Sequence, residues 1–233
     1  MIYIAIIVPL LAVYVCVLCR MGRIQKKKTA NFFFFLTTYL FYILYLLKLA
    51  KGVGIHSYYF HESLATANIS PFMFSIMPLI YFSKGKLQKY LYLLVSLLSV
   101  GMLLSPVGNA LTYAIKGTTF GIIFVWDYIA HLSLSLWGVY LVKSCQVQPT
   151  KKDALISSAI IFGICDSMLL LNLVFDTSFF GLSLRGKHHI YYNVLVENSY
   201  LSALLYFLGL CAILCLGYLF CHYFVNPKRK NNE

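Results

Sequence analysis

Charge is scarce in this chain of 233 residues: 11% are Asp, Glu, Lys or Arg, and only seven are acidic. Soluble domains carry about 25% charged residues, so the composition argues against a water-exposed fold. The sequence is 61% hydrophobic, and a soluble protein of this size would have to show much of that surface to water. Lipid removes the difficulty, because it is the solvent for the outer faces of a membrane protein. Catalytic and binding signatures are missing too. No Walker loop, GxGxxG, HExxH or GxSxG occurs, and there is no internal repeat or low-complexity linker.

The seven cysteines are Cys16, Cys19, Cys145, Cys165, Cys211, Cys215 and Cys221. None falls in a predicted outer loop, which argues against structural disulfides. Cys16 and Cys19 form a CxxC, but inside an apolar helix and without a second pair this spacing reads as packing.

What the chain has in quantity is long apolar runs, near 2–19, 31–50, 66–83, 90–106, 119–142, 154–175 and 198–225. Each is close to the roughly 20 residues a helix needs to cross a bilayer. The first run has no basic residue before it and no small-residue cleavage site after it, so it reads as a retained helix. The third contains Pro71 and Pro78, which interrupt or kink a helix. Lys and Arg positions fix the expected parity. Fourteen of the 19 follow the odd-numbered runs: Arg20 to Lys28, Lys84 to Lys89, Lys143 to Lys152, and Lys228 to Lys230. That alternation is a positive-inside pattern. The expectation is one polytopic, all-α membrane domain over 1–233, with seven spans, the N-terminus outside and a short basic tail at about 227–233 in the cytoplasm. A cell (plasma) membrane is the expected location.

The net charge of +12 is then mostly a consequence of topology and gives no reason to expect nucleic acid as a partner. Its natural counterpart is anionic phospholipid of the inner leaflet.

Two of the acidic residues, Asp127 and Asp166, fall deep within apolar runs, where a lone carboxylate costs at least about 2.5 kcal/mol. Asp127, His131 and Ser135 are spaced i, i+4, i+8 and share one helical stripe. Rise arithmetic places Asp127 and Asp166 at one depth, about 12 Å from the outer boundary, with His131 about one turn deeper. If their helices are neighbours, three arrangements are open. His131 is a cation between carboxylates, or one aspartate holds a proton for the other, or a neutral His131 oriented by Asp127 is ready to act as a base. Asn172, nearer the outer face, would add a hydrogen-bonding wall. The structural alternative is that these side chains are interhelical polar glue, worth about 0.6 kcal/mol each. Outside the membrane, His56, His61 and Glu62 in one loop and His188, His189 and Glu197 in another lack tight ligand spacing and read as a polar vestibule, with no metal or cofactor expected.

From about residue 70 to 210 the order of features resembles the bacterial YwaF family and its eukaryotic relative, transmembrane protein 164. The counterparts are ISPFMFSI (69–76), KLQKYLYLLVSLLSVGMLLSP (86–106), DYIAHLSLSLWGVYL (127–141) and LLLNLVFDTSFFGLSL (169–184). The resemblance implies acyl transfer between membrane phospholipids by a cysteine with a histidine. His131 matches the membrane histidine. The cysteine does not match: Phe74 stands at its position, and Phe72 stands where the family has His. By depth, Cys165 and Cys211 are the substitute nucleophiles to consider.

The leading expectation is therefore a lipid-modifying membrane enzyme of acyltransferase type, with His131 as general base, Asp127 orienting it, and Asp166, Asn172 and Ser135 shaping the pocket. A binding or transport protein for a small solute or protons, and a scaffold that binds other membrane proteins, are the rivals. A nucleophile beside His131 would mark the enzyme, an aqueous path the transporter, and neither the scaffold.

Overall fold

The computed structural model describes residues 2–21, 24, 26–50, 69–115, 123–175, 179–182 and 199–225. Among these there are eight α-helices and no strand: α1 (Ile2–Arg20), α2 (Lys27–Ala50), α3 (Ile69–Ser75), α4 (Met77–Phe82), α5 (Gly85–Ile115), α6 (Ile123–Lys143), α7 (Lys151–Phe175) and α8 (Ser199–Leu219). A 3-10 turn, Phe179–Gly181, follows α7, and a π-helical turn, Phe220–Val225, continues α8. Four helical stretches are long and apolar enough to cross a membrane: Lys27–Lys48, Gly85–Gly108, Lys151–Phe175 and Ala203–Tyr223.

The helices follow the apolar runs with two departures. The expected span at 66–83 is two short helices that break at Ile76. Pro78 has no N–H to give the carbonyl of Phe74, four residues back, and its ring crowds that turn; it is accommodated at the start of α4, where an N–H would lack a partner anyway. The fourth run does not stop at Pro106. Helix α5 runs through it to Ile115, a tolerance for internal proline that is ordinary in membrane helices.

Helices α5 and α6 form the centre. Helix α6 packs on α1, α2, α5 and the π turn, and every residue from Ala130 to Val142 is buried. Small residues let the backbones approach, as is usual where no hydrophobic force drives helices together. A Cβ added at Gly138 would lie 2.6 Å from the Val95 carbonyl oxygen, and one at Gly217 would collide with the Leu97 carbonyl oxygen. Helix α5 is thereby clamped between α6 and α8.

Polar side chains tie the helix ends that carry the Lys and Arg residues. Lys143 Nζ donates to the Leu18 carbonyl at 2.8 Å, Asn31 Nδ2 donates to Gln146 Oε1 at 2.6 Å, and Trp137 Nε1 donates to Asn31 Oδ1 at 3.3 Å. Lys89 pairs with Asp153 at 3.0 Å, while Thr150 Oγ1 donates to Asp153 Oδ2 and accepts from the Asp153 N–H. The end of α1, the start of α2, the start of α5, the end of α6 and the start of α7 therefore gather at one end of the bundle.

Candidate functional site

Helix α6 holds Asp127 and His131 one turn apart, and both are buried. The spacing brings His131 Nδ1 to 2.9 Å from the Asp127 carbonyl oxygen and 3.2 Å from Asp127 Oδ1. Two oxygens converge on Nδ1. A lone pair there would face two acceptors, so Nδ1 must be the nitrogen that bears hydrogen. The other ring nitrogen, Nε2, is then the one with basic character in the neutral ring. Nε2 is buried and has no hydrogen-bond partner among the described residues. An imidazole held in this way, with one nitrogen anchored on a carboxylate and the other unengaged, has the geometry of a general base.

Aromatic side chains wall the site. Phe74, from the break between α3 and α4, meets His131 edge to ring with centroids 4.9 Å apart and planes at 89°. Tyr42 of α2 lies 4.8 Å from Phe74 by centroids, and its hydroxyl is 3.4 Å from Ser75 Oγ. Beyond Phe74, Phe72 meets Phe180 at 5.8 Å. On α2, Thr38 lies one turn from Tyr42 and one turn from Phe34, which packs on Tyr140 of α6. Thr38 is completely buried and its Oγ1, like His131 Nε2, has no hydrogen-bond partner among the described residues. Tyr42 and Thr38 escaped the sequence reading, although their i, i+4 relation with Phe34 marks one face of α2.

Of the other residues expected at the site, none joins Asp127 and His131 by a hydrogen bond. Ser135 is one turn further along α6, but its Oγ donates to the Ser99 carbonyl at 2.7 Å and accepts from Tyr14 Oη at 3.0 Å. It belongs to a seam between α1, α5 and α6, where Ser96 Oγ reaches the Gly138 carbonyl and Cys221 Sγ reaches the Ser96 carbonyl. Asp166 is exposed. The stripe of α7 that packs on α5 runs through Asp153, Ser157, Ile161 and Cys165, and one further residue is about 100° of rotation. Asp166 therefore lies away from the stripe of α7 that packs on α5, and among the described residues no hydrogen bond or ion pair joins it to Asp127 or His131. Cys165 is buried on that inward stripe of α7, and Cys211 is exposed on α8, so neither is placed as a nucleophile for His131. All seven cysteines are free.

Asn172 serves the loop instead of a pocket. Its Nδ2 donates to the carbonyls of Phe179 and Leu182 at 2.8 and 3.1 Å, and its Oδ1 accepts from the Phe179 N–H. This clamp holds Phe180 at φ 55, a left-handed conformation costly for a bulky residue, with its side chain buried. His56, His61, Glu62, His188, His189 and Glu197, which the sequence reading puts in a polar vestibule, lie outside the described residues. Among the described ones, no three His, Cys, Asp or Glu side chains converge in a way that could hold a metal ion.

No family model, no curated protein and no solved structure matches this chain.

Proposed function

We propose that this protein is a multi-pass membrane protein that modifies lipids by acyl transfer, with His131 as the general base. The observation behind the reading is His131 itself: a buried imidazole whose Nδ1 is anchored by Asp127 and whose Nε2 is unengaged among the described residues. In the proposed step Nε2 takes the proton of an acceptor hydroxyl as that oxygen attacks the acyl carbonyl of a donor ester. The bond from the acyl carbon to the donor oxygen then breaks, and that oxygen recovers the proton from Nε2. Asp127 is a positioning residue, fixing the ring and stabilising the imidazolium formed in passing. No protein nucleophile is required, which accommodates Phe74 at the position where the YwaF-like resemblance expects cysteine. Phe74 and Tyr42 are buried against the His131 side of the site, and the helix break at Ile76 gives that aromatic wall a place to yield to a substrate.

The same reading takes the chain as seven-spanning, with the short pair α3 and α4 forming the third crossing and the gathered basic end in the cytoplasm, facing anionic inner-leaflet lipid. A cell membrane is the proposed location. One observation favours a second, non-enzymatic reading, in which the site binds a small solute or relays protons: the Phe74 ring packs directly on the imidazole.

The deciding experiment compares the phospholipids of cells with the wild-type protein, with His131→Asn and with none. Acyl transfer predicts a class of lipids whose chains are redistributed only by the wild type, and purified protein in vesicles should move a labelled acyl chain onto a lysophospholipid. Identical lipid profiles, together with no transfer in vesicles, would leave only the second reading.

A further inference from the structure

The pair of Asp127 and His131 leaves Asp166 without a role. It is the sixteenth of the 25 residues of α7, about 22 Å from the Lys151 end and about 14 Å from the Phe175 end. Helix α7 is one of the four able to cross a membrane, and the least buried of them. Asp166 is exposed and no hydrogen bond or ion pair reaches it among the described residues. If that face meets lipid, the carboxylate has neither water nor, among the described residues, a partner, and such groups in membrane proteins pair with one another or with donors from neighbouring helices.

The residues around it suit a close helix contact. Ala159, Gly163, Ser167 and Leu170 are exposed on the same face as Asp166, within about 60° of Gly163, and opposite the stripe that packs on α5. A Cβ added at Gly163 would meet nothing within 4 Å. Ser167 Oγ donates back to the Gly163 carbonyl at 2.7 Å, so its hydrogen is already used within the helix. The face thus offers a backbone that another helix can approach, beside one unmet negative charge.

We propose that this face of α7 docks a transmembrane helix of a different protein, one with a lysine or arginine at mid-membrane that pairs with Asp166. Charge complementarity selects this occupant over a second copy. The Lys and Arg residues of the described helices stand at or next to helix ends, from Arg20 at the end of α1 to Lys151 at the start of α7. The described helices of a second copy would therefore bring no cation to this depth, and a two-fold contact through Gly163 would set one Asp166 near the other.

The test uses the full chain in phosphatidylcholine vesicles and a synthetic Leu/Ala helix of about 20 residues with one central lysine, binding being read by energy transfer between dyes on the two. The lysine helix should bind the wild type, and an otherwise identical helix without lysine should bind at least about tenfold more weakly, the loss expected for one unscreened charge pair. Asp166→Asn should erase that preference with melting unchanged. Gly163→Ile, which keeps the charge but fills the approach, should weaken both helices. The proposal is overturned if both helices bind the wild type alike, if neither binds, or if differently labelled copies of the protein associate with each other through Asp166. It is overturned equally if Arg185→Ala, Lys187→Ala is needed before the lysine helix binds, since the chain's own outer segment would then be covering the carboxylate.

Discussion

Phe74 and His131 stand edge to ring, 4.9 Å between centroids, across the contact between the broken helix and α6. Under the proposed YwaF-like reading, position 74 would hold a cysteine; in this chain a phenylalanine ring lies against the histidine there. Phe74 is 1% exposed and also touches Tyr42. Truncation to alanine should cost about 3 to 5 kcal/mol, and Phe74→Leu, closer in volume, about 1 to 2 kcal/mol. Thermal melting in detergent micelles checks the order; equal melting of the two variants would mean that the ring does not pack as described.

Removing His131 outright would strand a buried carboxylate, so a change that keeps the donor separates chemistry from folding. His131→Asn can still give an N–H to Asp127 but cannot take a proton at the place of Nε2. Its activity should fall about 10²-fold to 10⁴-fold with a nearly unchanged melting temperature. Groups acting as one unit are non-additive, so the double variant Asp127→Asn, His131→Asn should be scarcely slower than His131→Asn alone. Full specific activity in a well-folded His131→Asn protein would remove His131 from the mechanism.

Two glycines on α8 provide an internally controlled comparison. A methyl group at Gly217 would collide with the Leu97 carbonyl, whereas one at Gly209 meets nothing within 4 Å. Gly217→Ala should therefore lower the yield of folded protein sharply, by several kcal/mol if α5 and α8 are forced apart. Gly209→Ala should be neutral or stabilising by up to about 1 kcal/mol through helix propensity. The ratio of folded to aggregated protein on size exclusion reads both.

Asn172 makes three hydrogen bonds to the turn that follows it. Asn172→Ala should cost about 1 to 3 kcal/mol, from carbonyls and an N–H left unpaired, and should speed amide exchange at Phe179 and Leu182. Unchanged exchange there would show that Phe180 keeps its conformation without the clamp.

For topology, a reporter active only in the cytoplasm should work when inserted in the turn at 144–150 or after Glu233, and should be silent in the segment 183–196. Activity at 183–196 would overturn the assignment of the basic end to the cytoplasm.

The sequence by itself determined where helices lie and what α6 holds. The apolar runs coincide with α1, α2, α6, α7 and α8 to within a few residues, because the bilayer-length run and the lysines at its ends are local properties. The contact of Asp127 with His131 was also legible, since i, i+4 on a helix is contact by construction. Which way each helix faces was decided only by the tertiary structure. In a soluble protein a polar face points out and a hydrophobic stripe points in; here both faces of α7 are apolar, and nothing local distinguished the side with Cys165 from the side with Asp166. By spacing Ser135 lies on the His131 stripe, but the Ser99 carbonyl of α5 and the hydroxyl of Tyr14 from α1 take up its hydroxyl. Asn172 went to the loop because the carbonyls of Phe179 and Leu182 needed a donor there. The meeting of Phe74 with His131 joins residues 57 positions apart, through a helix broken at Ile76 and packed from outside α6, and no periodicity in the chain encodes such a contact.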